Sequence, residues 1–152
     1  ECRSLVREVI ANGEALKRLA AMVEAQGGDS SVIFDTDKFE KAAYQHEVLA
    51  KKSGYITFMD TESCGIASAM LGAGRETKDS QIDFAAGIIL KKKVGDYVEA
   101  GEPMAVFYAD KEELFAAAEL RYQAAVTIED EKANETPLVY ARVTKDQVER
   151  LA

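Results

Sequence analysis

The sequence predicts an α+β fold with a mixed sheet and packed helices, preceded by a short helical segment. Three observations carry that prediction. The first 26 residues are patterned at helical spacing only. From Ser53-Gly54 onward, β-rich runs alternate with helical patterns. The connections between them include both tight hairpins and longer crossovers, which places strands and helices in one unit.

The opening segment reads as two helices. Leu5, Val6, Val9 and Ile10 form an apolar stripe, which Asn12-Gly13 ends as a left-handed cap. Leu16, Leu19, Ala20 and Val23 form a second stripe, closed by Gln26-Gly27-Gly28-Asp29. Helices this short are marginal in water, and two of them cannot bury both faces on each other, so residues 1–26 call for a partner surface. Residues 29–50 are polar and irregular and read as a connector with one short strand. His46 lies near its end, without a neighbouring acid or nucleophile motif, and is assigned no catalytic role.

Tyr55-Ile56-Thr57-Phe58-Met59 suits a strand. Asp60 or Thr61 caps the next helix, whose buried face is Ile66, Ala67, Met70 and Leu71. Gly72-Ala73-Gly74-Arg75 ends it. A phosphate loop would have to follow a strand and open a helix; these glycines follow a helix, so they read as a cap and close turn. Arg75 remains as a candidate anion contact.

Phe84 to Leu90 is a continuous apolar run, expected of a strand buried on both faces, and Lys91, Lys92 and Lys93 mark its exit to solvent. Val94-Gly95-Asp96 and Ala100-Gly101-Glu102 predict two turns six residues apart, and Pro103 to Tyr108 a returning strand. Asp110-x-x-Glu113 reads as a capping box for a helix with Leu114, Phe115, Ala118, Tyr122 and Ala125 on its apolar face. The alanine run 116–118 reads as tight packing against the sheet. Thr127-Ile128 and 138–143 flank an acidic loop around Thr136-Pro137. Thr144-x-x-Gln147 is expected to cap a short final helix carrying Val148 and Leu151.

Composition narrows the function classes. The chain has 152 residues, 47% of them hydrophobic, and a net charge of −8. That length fits one domain, or one domain plus an extra helical piece. The acidic balance argues against nucleic acid and anionic membranes as partners, and no run approaches the ~20 apolar residues of a membrane span. Cys2 and Cys64 form no C-x-x-C pair, and one histidine is too few to complete a zinc site with them. A reducing, cytoplasmic setting is favoured. No metal or cofactor is called for. The chain starts at Glu1 and runs directly into helical pattern, which reads as a cut from something longer.

The pattern V-G-D-x-V-x-x-G-E-P resembles the turn segment of lipoyl- and biotin-carrier domains. Carriers attach their cofactor to a lysine at a hairpin tip, usually between methionines. Met59 is followed by Asp60 and Met104 by Ala105, so the resemblance implies hammerhead-like geometry without carrier chemistry.

A second resemblance spans nearly the whole chain. It rests on Asn12-Gly13-x-Ala15-Leu16, Ala25-Gln26-Gly27-Gly28-Asp29, Gly54-Tyr55-Ile56, Leu71-Gly72-Ala73-Gly74-Arg75 and Ile82-Asp83. It continues through Ala86-Gly87-Ile88, Lys93-Val94-Gly95-Asp96, Gly101-Glu102-Pro103 and Thr136-Pro137-Leu138-Val139-Tyr140. In this ordered series the chain resembles the C-terminal part of the pyrimidine-nucleoside phosphorylase family, which includes thymidine phosphorylases. The resemblance implies a helical segment and connector at 1–50, part of a larger α/β domain, and a hammerhead-like C-terminal domain at 51–152. It implies a glycosyltransferase that cleaves uridine or thymidine with phosphate, works as a homodimer in the cytoplasm, and needs no cofactor.

The family's phosphate- and base-binding motifs lie upstream of anything matched here, so no catalytic residue is carried over. The partner implied is an upstream catalytic region of the same polypeptide, and the fragment alone is expected to be inactive. The alternative from another class is a free-standing binding module built on the hammerhead core.

Overall fold

The structure is a computed structural model that describes residues 1–75, 77–133 and 137–151. The chain divides into two compact units, 1–41 and 42–152.

In the first unit, α1 (Cys2–Ala11) and α2 (Glu14–Ala25) form where the two apolar stripes lie. The Asn12 side chain accepts from the Glu14 amide at 3.0 Å, and Gly13 supplies the left-handed residue between the helices. Two paired bonds close α2: Gly27 N–H donates to the Glu24 carbonyl and Gly28 N–H to that of Val23, both at 2.9 Å. Two short 3-10 turns follow, Ser30–Ile33 and Thr36–Lys38, each opened by an aspartate (Asp29, Asp35) whose carboxylate accepts an amide two residues on. Leu5, Val6, Ile10, Leu16, Leu19 and Met22 all remain exposed, and Ala20 is the buried apolar residue among the described positions of this unit.

The second unit begins earlier than the sequence suggests, because the single strand expected within the connector is β1 (Tyr44–Leu49), paired antiparallel with β5 (Pro103–Ala109). Asp110 explains part of that placement. Its carboxylate accepts the Ala43 amide at 3.0 Å, anchoring the start of β1 instead of capping a helix. The capping box predicted at Asp110-x-x-Glu113 is therefore absent: Lys111 opens a short turn at Glu112–Leu114, and α4 (Phe115–Ala125) follows.

The α+β class holds. Every described strand pair is antiparallel, however, so three small antiparallel sheets stand where one mixed sheet was expected. The reason lies in the crossovers. The chain leaves β2 (Gly54–Met59) through α3 (Thr61–Ser68) and arrives at β3 (Gly87–Leu90), and it leaves β5 through α4 and arrives at β6 (Val126–Glu129). Each helix carries the chain from one sheet to the other: β1-β5-β3 is the first, and β4 (Tyr97–Val98), β2 and β6 make the second. Neither helical crossover returns to its own sheet, so neither creates a parallel neighbour.

The two glycine turns link the sheets with one repeated device. Gly95 N–H donates to the Ile56 carbonyl at 2.8 Å and Ile56 N–H donates to the Asp96 carbonyl at 2.9 Å. Six residues on, Gly101 N–H donates to the Ala50 carbonyl at 2.8 Å and Ala50 N–H to the Glu102 carbonyl at 2.9 Å. Each turn also closes on itself through its acid: Asp96 accepts the Lys93 amide at 2.8 Å and Glu102 the Glu99 amide at 3.0 Å. Both glycines have positive φ, which is why each turn requires one. Lys92 clamps the pair, with an ion pair to Glu102 at 2.7 Å and a hydrogen bond to the Tyr97 carbonyl at 3.0 Å.

The core lies between the sheets and the two helices. It joins Val48, Ile56, Leu71, Val98, Met104, Phe107, Ala118 and Tyr122, with Phe107 and Tyr122 meeting edge to face at 5.5 Å. The apolar face predicted for α4 is the one it buries, through Phe115, Ala118, Tyr122 and Ala125. Of the alanine run, only Ala118 is buried; Ala116 and Ala117 face solvent. On α3 the buried residues are Ser63 and Ala67, and Ile66 is exposed, because Cys64, Ala67 and Leu71 form the row that faces the core. β3 is an edge strand, shorter than predicted and only half covered. Phe84 stands outside it, 91% exposed, so the apolar run 84–90 is not a strand buried on both faces.

At the C-terminus, the predicted final helix is a hairpin instead. β7 (Ala141–Val143) pairs with β8 (Val148–Arg150). The Thr144 hydroxyl accepts the Gln147 amide at 3.2 Å, and Thr144 N–H donates to the Gln147 carbonyl at 2.9 Å. A Thr-x-x-Gln pair supplies the same hydroxyl-to-amide contact in a helix cap and in a tight turn, and here the turn wins. Thr136, the other landmark predicted in this region, lies outside the described residues.

Candidate functional site

The segment around Arg75 is the one place where the sequence pointed to a ligand. α3 runs into a single π-type turn, Ala69–Ala73, in which Gly72 takes φ 109°. Wider turns of this kind recur at functional sites because they redirect the chain out of a helix. The Asp83 amide donates to the Gly72 carbonyl at 2.9 Å, and the Asp83 carboxylate accepts the Ala85 amide at 2.9 Å. A Cβ on Gly72 would sit 3.3 Å from the Asp83 Cβ, so the 83–86 loop lies directly against the turn. Gly74 is extended, and a Cβ there would fall 2.7 Å from the Ala69 Cβ. Arg75 follows at the exit of this tightly held turn, exposed.

The glycines thus serve close packing, as expected of a cap. Gly74→Val is expected to destabilise the fold by about 1–3 kcal/mol, because the clash is with a helix-borne methyl that cannot swing aside. A urea melt should show a lower midpoint with an unchanged slope, and Gly74→Ala should lose nearly as much, since the clashing atom is Cβ itself.

The other chemistry-bearing residues are accounted for structurally. His46, on β1, contacts Glu119 of α4 through Nε2 at 2.8 Å and stacks on Phe115 with ring centres 5.3 Å apart. Beside it, Gln123 donates to the Leu49 carbonyl at 2.8 Å. Together they fasten α4 to β1. Asp60 accepts from the Ser63 hydroxyl at 2.6 Å, and this bond holds its carboxyl below the usual range. Cys64 is a free thiol pushed upward by burial and by Asp60, which suppresses the reactive thiolate. Cys2 is also free and exposed. Sequence reasoning missed Tyr122 as a polar centre: it is fully buried, its hydroxyl has no hydrogen-bond partner among the described residues, and burial raises its pKa to about 12. Its position on the apolar face of α4 gave no hint of an orphaned hydroxyl.

Among the described residues, no group of three or more His, Cys, Asp or Glu is placed to hold a metal ion, and no helix is long and apolar enough to cross a membrane. What the arrangement presents is a two-sheet body with an exposed arginine at the exit of a closely packed glycine turn.

Comparison with known proteins places this body. Residues 55–129, from β2 to β6, match the family described as the pyrimidine nucleoside phosphorylase C-terminal domain. The pyrimidine-nucleoside phosphorylase of Bacillus subtilis (strain 168) is 46% identical over 112 residues, which are 74% of this chain and 26% of that protein. The protein of the same name from Staphylococcus aureus (strain USA300) is 39% identical over 145 residues, 95% of this chain and 33% of that protein. The chain belongs to the pyrimidine-nucleoside phosphorylase family, of which it is the C-terminal part. It spans about a third or less of the length of these relatives.

Proposed function

We propose that this chain completes a pyrimidine-nucleoside phosphorylase whose catalytic region lies upstream in the same polypeptide. The observation that carries the reading is the match to proteins of that name over nearly the whole chain but only a third of theirs. In the intact enzyme, inorganic phosphate attacks the anomeric carbon of uridine or thymidine as the bond to the base nitrogen breaks, giving pentose 1-phosphate and free base. That step needs phosphate held by amides and hydroxyls and a stabilised leaving base. Two of the side chains here that could serve such a step are engaged otherwise: His46 with Glu119, and Lys92 with Glu102.

On this reading, the helical segment 1–41 belongs to the larger α/β domain, and 42–152, into whose sheet β1 is paired, form a body that moves as the enzyme closes on its substrates. The intact protein is a cytoplasmic homodimer active in nucleoside salvage. The purified chain alone is expected to release no uracil from uridine with phosphate; phosphate-dependent release above the uncatalysed rate would refute this. Arg75 faces an anion or the opposing domain in the closed enzyme. Arg75→Ala in the full-length protein should leave thermal stability within about 0.5 kcal/mol and lower kcat/KM for phosphate roughly tenfold or more. Unchanged turnover and unchanged substrate affinity would remove Arg75 from the site.

A further inference from the structure

Glu40, Lys41 and Ala42 make no backbone hydrogen bond among the described residues. On one side of them, the Phe39 N–H donates to the Thr36 carbonyl at 3.2 Å and closes the second 3-10 turn. On the other, the Asp110 carboxylate accepts the Ala43 amide at 3.0 Å, and β1 begins at Tyr44. Phe39 is already extended, at φ −66° and ψ 141°, while Glu40 and Lys41 are exposed and Ala42 is half-buried. The Lys41 ammonium pairs with Asp37 at 2.7 Å, but both side chains are largely exposed, so the pair holds little.

This unbonded stretch falls at the boundary between 1–41 and 42–152. What the second body packs lies beyond it: the core cluster runs from Val48 to Ile128, and β1 pairs with β5 inside the same body. Proteases need a substrate chain that is exposed, extended and free of its own backbone bonds. A lysine is what the acidic specificity pocket of a trypsin-like protease takes. Other lysines sit on backbone that is tied down. The amides of Lys91 and Lys92 both donate to the Met104 carbonyl, and that of Lys93 to the Asp96 carboxylate. Lys78 and Lys145 lie inside turns closed by Thr77 with Ser80 and by Thr144 with Gln147. We propose that the Lys41–Ala42 bond is a processing site for a trypsin-like protease, which releases 42–152 as a folded body. Water adds across the peptide bond, leaving a carboxylate on Lys41 and an ammonium on Ala42. The cut ends one residue before the amide that Asp110 holds, so the β1–β5 ladder keeps its anchor.

Limited digestion of the intact native protein with trypsin, followed by mass spectrometry of the products, tests this. Within this chain the first cut should fall after Lys41, and the fragment beginning at Ala42 should outlast the intact chain at least about tenfold. Lys41→Gln should slow that cut about tenfold or more and leave the thermal midpoint unchanged. A first cut at any other position of this chain, or no cut at Lys41, would overturn the proposal, and neither result needs a variant to fold. A fragment beginning at Ala42 that is destroyed as fast as it forms would also overturn it, because 42–152 would then not stand as a folded body.

Discussion

Tyr122→Ala is expected to cost this chain about 3–5 kcal/mol of stability, the loss typical of deleting a large buried ring. Tyr122 is fully buried, packs edge to face against Phe107, and lies where α4 meets the core. Tyr122→Phe should behave in the opposite way. The hydroxyl has no partner among the described residues, so removing it sheds a desolvation penalty and should leave stability unchanged or raise it by about 1 kcal/mol. The pH dependence follows from the same burial. The folded phenol ionises near 12 and the ordinary one near 10.0. Between those values the unfolded chain has already lost its proton and the folded chain has not, so stability should fall as pH rises from 10 toward 12. That fall should be smaller in Tyr122→Phe. Urea melts of the three proteins at pH 7 and pH 10.5 separate these effects; a Phe variant less stable than wild type would mean the hydroxyl has a partner.

The second large effect is at Gly54. This residue opens β2 with φ 150°, and a Cβ added there would lie 2.6 Å from the Glu129 carbonyl oxygen and 2.8 Å from the Ile128 Cγ2 on the adjacent strand β6. Backbone cannot yield as a flexible side chain can. Gly54→Val should therefore cost about 3 kcal/mol or more, combining strain and overpacking, and should disturb the β2–β6 ladder first. Loss of amide protection at Ile56 and Ile128 ahead of Val48 and Phe107 would show that order. A variant as stable as wild type would mean the two strands lie further apart than described.

The parts of this fold that the sequence made legible are those whose chemistry admits one geometry. Asn12-Gly13 and Gln26-Gly27-Gly28 can end helices in few ways, and they end α1 and α2. The paired motifs at Gly95-Asp96 and Gly101-Glu102 carry both a positive-φ residue and an acid that closes the turn, so their six-residue spacing reappears as two matching grips on Ile56 and Ala50. The apolar face of α4 was readable because its spacing is regular.

What misled was chemistry that serves two geometries. Asp110 fits a capping box, but the Ala43 amide, 67 positions away in sequence, claims its carboxylate. Thr144-x-x-Gln147 suits a helix start and a hairpin turn equally, and the β-branched Val143 and Val148 facing each other favour the hairpin. The run 84–90 looked like a central strand, yet which strand becomes central depends on pairing partners that hydrophobicity does not encode; β5 takes that place and β3 is left at the edge. For the site, the Gly72–Arg75 turn was legible, since glycines after a helix mark a cap. The contacts that hold it, from Asp83 and Ala69, arise only in three dimensions.

The central claim is that this chain is one end of a longer enzyme. Antibody raised against it, used to blot extracts of the source cells, tests that claim most directly. The account predicts a band roughly three times the 16.6 kDa of this chain, with phosphorolysis of uridine or thymidine in the same purified fraction. A single band at 16.6 kDa would contradict it and return the protein to the class of free-standing modules.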